Sequence, residues 1–399
     1  MKIYIKREIE NKVNKYSKNF PVVAISGPRQ SGKSTMIKNI FPDIPYFSFD
    51  DLELRISAKS DPGLFFEQIS QAEKQTIIDE IQYAPQLLHY IKMKVDENPR
   101  IKGRFFLTGS QQFLMIKNLS ETLAGRIGLI NVYPLSVSEI ISYINENKDF
   151  NLFEFSAFNG TYPQLIVEKL DTKEWYLNYI NTYLERDIKT LYNIGKLNDF
   201  EKFIRILAFR TGQILNLSSL ASDIGVSVNT IKNWISILKA SGIIFLLYPY
   251  HTNIRTQLVK SPKIYFIDIG LVCSINKIKD RETLFSSPLL GYIFENYCIA
   301  EILKRINNFG LDLNLYFYRD SKGVEIDLLI EDKQILYPVE IKASVVTDKK
   351  CAENIEKVKK KLKNFKDGFI INLSNKSIYL SPNVLTLDIV SFLNKISNL

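Results

Sequence analysis

Histidine and cysteine are nearly missing from this 399-residue chain: His89 and His251 are its only imidazoles, and Cys273, Cys298 and Cys351 its only thiols. The cysteines are far apart, odd in number and form no C-x-x-C pair, which argues against a disulfide framework and a zinc site. Two histidines exclude chemistry that leans on several imidazoles, leaving acids, lysines and Mg²⁺ to do the work. No apolar run reaches the roughly 18 residues that a membrane span needs. The opening Met1-Lys-Ile-Tyr-Ile-Lys-Arg-Glu8 lacks a signal peptide's apolar core, so a cytoplasmic location is expected. Repeats, low-complexity tracts and Gly/Ser linkers are absent too, so domain boundaries must come from changes of pattern. The 46% hydrophobic content suits a large chain with roughly two to four cored domains.

What is present is a phosphate-binding pattern. Gly27-Pro-Arg-Gln30-Ser31-Gly32-Lys33-Ser34-Thr35 fits G-x-x-x-x-G-K-[ST], with the strand-like Val22-Val-Ala-Ile25 in front and a helix-forming Thr35 to Ile40 behind. Such glycines let successive backbone N–H groups converge on phosphates, the helix directs its positive end at them, and the lysine reaches the β- and γ-phosphates. Gly27, Gln30, Ser31, Gly32, Lys33, Ser34 and Thr35 are therefore the expected ATP-binding residues, with Ser34 also a ligand of Mg²⁺.

Downstream, Gln75-Thr-Ile-Ile-Asp79-Glu80 is a short apolar run ending in two acids, the way a second parallel strand delivers carboxylates to a phosphate site. Asp79 is expected to hold Mg²⁺ and Glu80 to orient or deprotonate the attacking water. A third run, Arg104-Phe-Phe-Leu-Thr108-Gly-Ser110, reads as the strand between these two, with Thr108 or Ser110 on the γ-phosphate or the water. Both hydroxyl residues suit a strand-end turn equally well. Arg126, just before the apolar Ile127 to Val132, is a candidate for the arginine that neutralises transition-state charge, or simply a surface residue.

This combination, with Ile78-Asp-Glu-Ile-Gln82, Leu107-Thr-Gly-Ser-Gln111, Leu123-Ala-Gly-Arg126, Tyr133-Pro-Leu-Ser136, Gly160-Thr-Tyr-Pro163 and Tyr183-Leu-Glu-Arg-Asp187, resembles the prokaryotic AAA-type P-loop ATPases that carry a C-terminal domain of unassigned function. The resemblance covers nearly the whole chain. It implies ATP binding, an AAA-like core, and a C-terminal half similar to a winged helix followed by a restriction-endonuclease-like fold.

The pattern along the chain divides it accordingly, into an α/β P-loop core over residues 1–138, a helical lid over 139–200, a winged helix over 201–280 and an α/β nuclease-like domain over 281–399. Expected strands of the core are 21–26, 45–50, 75–79, 104–108 and 127–132, alternating with helices as a parallel sheet requires. Residues 1–15 read as a leading strand and helix. Ser138 to Asn147 and Lys173 to Tyr192 read as lid helices.

Charge is uneven. Lys202, Arg205, Arg210, Lys232, Lys239, Arg255, Lys260 and Lys263 face the single acid Asp223 between Lys202 and Lys263, a net +7, while the whole chain carries +9. That concentration fits contact with a phosphate backbone. Leu217 to Ile224, the turn Gly225 to Ser227 and Val228 to Ala240 read as a helix-turn-helix, with Ile231, Trp234, Ile235 and Leu238 inward. Asn229, Thr230, Lys232, Asn233 and Lys239 are left on polar faces. Ile243 to Tyr250 and Lys263 to Ile267 would form the wing. DNA is the expected partner; a protein docking on this module and a homo-oligomer are the alternatives, and no membrane partner is expected.

The last domain offers a second site. Val324-Glu-Ile-Asp327-Leu-Leu-Ile330 and Tyr337-Pro-Val-Glu340-Ile-Lys342 read as a hairpin whose two-residue turn at Lys333-Gln334 sets Asp327 opposite Glu340, with Lys342 on the same face. Two carboxylates on Mg²⁺ and a lysine beside them satisfy metal-assisted phosphodiester cleavage. The pattern is similar to the D-x(n)-E-x-K signature of restriction-endonuclease-like nucleases. The resemblance implies Asp327, Glu340 and Lys342 as catalytic, and Glu295, on a helix from Gly291 to Arg305, as a further metal ligand beside Asp327 and Glu340; Glu301 is the weaker choice. Glu325-Ile precedes Asp327 where such nucleases often have proline. An exposed charged hairpin is the plain alternative. A lysine-rich helix from Asp348 to Lys366 would brace the sheet through Ile355, Val358, Leu362 and Phe365.

Overall fold

The computed structural model describes residues 3–69, 75–109, 122–144, 151–183, 197–251, 261–320, 322–362 and 364–397. Its contacts divide the chain into two units, one formed by 1–135, 162–167 and 240–242, the other by 136–161, 168–239 and 243–399.

The first unit is built on a five-stranded parallel sheet in the order β2-β3-β4-β1-β5, where β1 is Val22–Ser26, β2 Tyr46–Ser48, β3 Thr76–Asp79, β4 Phe105–Gly109 and β5 Ile127–Asn131. Side chains alternate between faces, and both faces are covered, as a parallel sheet demands. Val22, Ala24, Ile78, Phe105 and Leu107 pack under Phe49, Phe65 and Leu88. Val23, Ile25, Ile77 and Phe106 pack on the other side against Val13, Met36 and Ile37. Parallel pairing gathers all the carboxyl ends at one edge of the sheet. The chain leaves β1 and β3 there, with β4 between them.

The five strands fall where the sequence pattern puts them. Two details differ. Residues 3–9 form no strand, and the first helix runs Glu10–Asn19. β2 stops at Ser48 because Asp51 turns to cap the next helix, its side chain accepting from the N–H groups of Glu53 and Leu54.

In the second unit the helices Val137–Ile144, Leu152–Asn159 and Thr172–Tyr183 precede Leu197–Phe209. The helices Leu217–Ile224 and Val228–Ala240 follow, joined by a turn in which Gly225 takes φ +84° and its N–H closes on the Ala221 carbonyl. Ser227 accepts from the Thr230 N–H at 3.1 Å and starts the second helix. Ile231, Trp234, Ile235 and Leu238 are buried, with Trp234 against Phe200 and Phe203. Asn229, Lys232, Asn233 and Lys239 are exposed.

An eight-stranded mixed sheet completes this unit in the order β12-β13-β11-β10-β9-β8-β6-β7. Its strands are β6 Ile244–Pro249, β7 Lys263–Phe266, β8 Asn314–Arg319, β9 Glu325–Asp332, β10 Ile335–Lys342, β11 Gly368–Asn372, β12 Tyr379–Ser381 and β13 Val384–Leu387. β6 pairs antiparallel with β7 and also parallel with β8, so the hairpin expected to be a wing is part of the sheet that carries Asp327 and Glu340. The expected helix over 348–366 is shorter: a 3₁₀ turn at Lys349–Ala352 and a helix at Glu353–Lys359. Like-charged Lys357 and Lys361, four apart on a continued helix, would oppose its extension. Lys361 instead turns to Asp320. No described helix is long and apolar enough to cross a membrane.

Candidate functional site

The phosphate loop leaves β1 at Ser26. Gly27, at φ +147°, passes so close to the chain beyond β5 that a Cβ there would sit 2.1 Å from the Val132 carbonyl oxygen. Only glycine fits. Gln30 and Gly32 also take positive φ, at 60° and 90°, which folds the loop back over the start of the helix Lys33–Ile40. Lys33 is buried, its ammonium donating to the Gly27 and Pro28 carbonyls at 3.0 and 2.7 Å. The buried Ser31 hydroxyl has no hydrogen-bond partner. Thr35 and Gln30 are exposed. A tightly curled backbone, a lysine folded into it and an orphaned hydroxyl fit a nucleotide's phosphates.

Asp79 ends β3 beside this loop. Its carboxylate accepts from Ser34 at 3.0 and 3.1 Å, from Ser48 at 3.4 Å, and from Thr108 and Tyr46. Ser34 and Asp79 thus lie where one Mg²⁺ would meet both. Glu80 follows with φ +54°, a left-handed conformation that costs a non-glycine residue of order 1 kcal/mol. It is half-buried and accepts from the Gln82 side chain. Burial raises its pKa, an effect that Lys33 opposes.

Arg126 is not brought to the loop of its own chain. β1 and β5 are parallel with Val22 opposite Ile127, and the Val22 N–H bonds the Arg126 carbonyl at 3.2 Å. Arg126 therefore sits at the amino edge of the sheet, a strand length of about 13 Å from the carboxyl edge where the loop begins. There its guanidinium pairs with Asp96 at 2.5 Å. Ser110 lies outside the described residues.

Three participants escaped the sequence reading. Buried Arg7 donates to the carbonyls of Ser31 and Tyr133 at 2.8 and 2.7 Å and clamps the loop from below. Tyr46 places its hydroxyl on Asp79 and its ring under the Lys38 ammonium, 3.5 Å away. Burial and Asp79 together push the Tyr46 pKa above the ordinary phenol range. Gln82 is the third.

In the second unit, Lys333 and Gln334 both take positive φ and make the two-residue turn. The register pairs Val339 with Leu328 and so carries Asp327 to the place opposite Glu340. Asp327 accepts from the Ile341 N–H at 2.8 Å. Lys342 reaches Glu340 at 2.6 Å and Asp327 at 3.5 Å. Glu340 is 2% exposed, and its Oε1 has no hydrogen-bond partner. Burial and the adjacent Asp327 push its carboxyl up to about 8.

Glu295 projects from the helix Leu290–Phe309 toward the same acids but is engaged elsewhere. It accepts from Lys263 at 3.0 Å and from Tyr265 at 2.5 Å. Lys263 also meets Glu325 at 2.8 Å. Burial alone would lower the Lys263 pKa, but Glu295, Asp327 and Glu325 outweigh it and hold the ammonium charged. Glu295 is therefore not presented as a free third ligand. Among the described residues no three His, Cys, Asp or Glu side chains gather as an ion site. Glu301 serves elsewhere, accepting from the Val137 N–H at 2.8 Å and pairing with Lys304 at 2.7 Å. The i, i+2 pairs Lys263/Tyr265 and Glu325/Asp327 were the available sequence signal for these additional members.

The basic segment is also less exposed than its composition suggests. Lys263 is internal, and Arg210 pairs with Asp223 at 2.5 Å. Lys232 and Lys239 remain exposed, while Arg255 and Lys260 lie outside the described residues.

Residues 19–141, which include the phosphate loop, match the family model of an AAA domain. Residues 151–282 and 290–390 match two domains of unknown function. An uncharacterized protein of Mycobacterium tuberculosis is 28% identical over 325 residues, covering 81% of this chain and 70% of its own. Another, from Methanocaldococcus jannaschii, is 25% identical over 374 residues, covering 83% and 76%. Among solved structures, the Walker-type ATPase of Pyrococcus abyssi superposes with a TM-score of 0.48 at 16% identity, over 68% of this chain and 96% of that one.

Proposed function

We propose that the chain is a Mg²⁺-dependent ATPase acting on DNA, in which bound nucleotide gates DNA binding or cleavage by the C-terminal nuclease-like unit. The observation that carries the ATPase reading is the joint placement of Ser34 and Asp79 beside the folded-back Lys33. Lys33 would hold the β- and γ-phosphates, Ser34 and Asp79 the ion, and Thr108 would fix Asp79. Glu80 would take or orient the water. Mg²⁺ supplies neutralisation of phosphate charge when bound.

The proposal keeps the four-part division at 1–138, 139–200, 201–280 and 281–399. The helix pair ending in Val228–Ala240 would read DNA through Asn229, Lys232, Asn233 and Lys239, with β6 and β7 as its wing. Asp327, Glu340 and Lys342 would cut. The test is incubation of the pure protein with ATP and Mg²⁺ on duplex, branched and single-stranded DNA, beside Asp327→Ala. Cleavage by the wild type alone supports the reading; DNA binding without cleavage leaves an ATPase that switches a binding module. That second reading is favoured by one observation, the occupation of Glu295 and Glu325 by Lys263.

A further inference from the structure

Two pairs of carboxylates of different character lie at the eight-stranded sheet, Glu295 with Glu325 and Asp327 with Glu340. Glu295 and Glu325 share the Lys263 ammonium, at 3.0 and 2.8 Å, and the Lys263 side chain is only 5% exposed. Tyr265, two residues on along the same strand face, adds a hydrogen bond to Glu295. Asp327 and Glu340 face each other across β9 and β10, and a buried oxygen of Glu340 is left with no donor. A buried carboxylate oxygen without a partner destabilises the fold unless a cation meets it. Lys342 touches this second pair from the rim, where it is 37% exposed.

We infer that the cluster binds one divalent cation, ligated by Asp327 and Glu340, and that Lys263 is a built-in cation filling the place at which Glu295 and Glu325 would hold a second. This rests on the nuclease-like reading of the sheet. Formal charge supports the count. With all four carboxylates ionised, Lys263 and Lys342 leave two negative charges, the charge of one divalent ion. Arg319 approaches Glu325 only to 3.8 Å and is half-exposed. Mg²⁺ is commonly held by one or two carboxylates together with substrate phosphate and water, so two protein ligands suffice for a phosphodiester substrate. Lys263 acts through Glu295 and Glu325 and is a positioning residue. It brings the strand that pairs with β6 into the floor of the acid site.

The test counts Mn²⁺ by electron paramagnetic resonance in nucleotide-free, full-length protein carrying Asp79→Asn, which removes the carboxylate at the phosphate loop. One ion per chain is expected, none after adding Asp327→Asn, two after adding Lys263→Met, and one after Lys263→Arg. Glu295→Gln keeps the shape of the side chain and covers the case in which Lys263→Met does not fold. It should leave the ion's affinity within about twofold, whereas a site ligated by Glu295 would lose at least tenfold. Two ions with Lys263 intact, an unchanged single ion in folded Lys263→Met, or a tenfold loss in Glu295→Gln would each overturn the role of Lys263. No ion with all four carboxylates present would overturn the nuclease-like reading with it.

Discussion

The Ser34 hydroxyl lies 3.0 Å from one carboxylate oxygen of Asp79 and 3.1 Å from the other, although 44 residues separate them in the chain. A hydroxyl equidistant from both oxygens stands on the axis of the carboxylate, where an ion entering between the two groups would find each within reach. The same carboxylate also holds Thr108 and Tyr46, so its orientation is fixed before any nucleotide arrives.

Binding and turnover should separate at Lys33 and Glu80. Lys33→Ala is expected to weaken ATP binding. Glu80→Gln should keep binding while slowing hydrolysis at least tenfold, a loss of about 1.4 kcal/mol in transition-state stabilisation. Nucleotide affinity and phosphate release measured on both variants decide this; full turnover by Glu80→Gln removes Glu80 from the mechanism.

Tyr46→Phe removes one donor from Asp79 without changing the ring stacked on Lys38. A hydrogen bond to a charged group contributes about 1.5–3 kcal/mol. Tyr46→Phe should therefore lower the melting temperature of the nucleotide-free protein, and Mg²⁺ with ATP should restore more of it than in the wild type. Equal shifts on ligand addition would show that Tyr46 does not bear on the ion.

The raised carboxyls of the second unit predict a pH signature. Burial and Asp327 hold Glu340 up to about 8 and Glu295 up to about 7. An acid with a raised folded-state pKa keeps its proton after the unfolded chain has lost it. Its contribution to stability therefore falls as pH rises from the ordinary carboxylate range toward 8. With metal chelated, the melting temperature should drop across that window more steeply in the wild type than in Asp327→Asn. Mg²⁺ should stabilise increasingly as pH rises, since it binds the ionised pair. Parallel wild-type and Asp327→Asn profiles would contradict the coupling.

Lys232→Ala with Lys239→Ala should weaken DNA binding to many sequences alike and flatten its salt dependence, by about 0.9 in the log–log slope for each lost phosphate contact. Titrations at several salt concentrations test it. An unchanged slope would make this helix a protein-docking face.

The core strands were legible because buried parallel strands are short apolar runs, and the runs ending at Ser26, Asp79 and Gly109 are bounded by the residues that leave the sheet. The β9–β10 turn was legible for a similar reason: alternation on both sides allowed a two-residue loop and fixed which side chains share a face. Arg7 and Lys263 were not. Arg7 follows Lys6 and Lys263 lies three residues after Lys260, so neither stands out in sequence, and what distinguishes each is burial beside groups distant in the chain, Tyr133 for one and Glu295 and Glu325 for the other. Charge counted along the chain treated Lys263 as surface, and the fold turned it inward.

The double pairing of β6 has a consequence for how this chain can be taken apart. A fragment starting at residue 281 would begin just after a plausible boundary in the sequence, yet it would lack both β6 and β7. The hydrogen-bonding edge of β8, covered at Tyr316 and Phe317 by Tyr248 and Pro249, would be open. Open edges recruit other strands. Glu295 and Glu325 would at the same time lose their shared lysine. Such a fragment should self-associate, whereas one starting before Leu197 keeps the edge covered and the lysine in place.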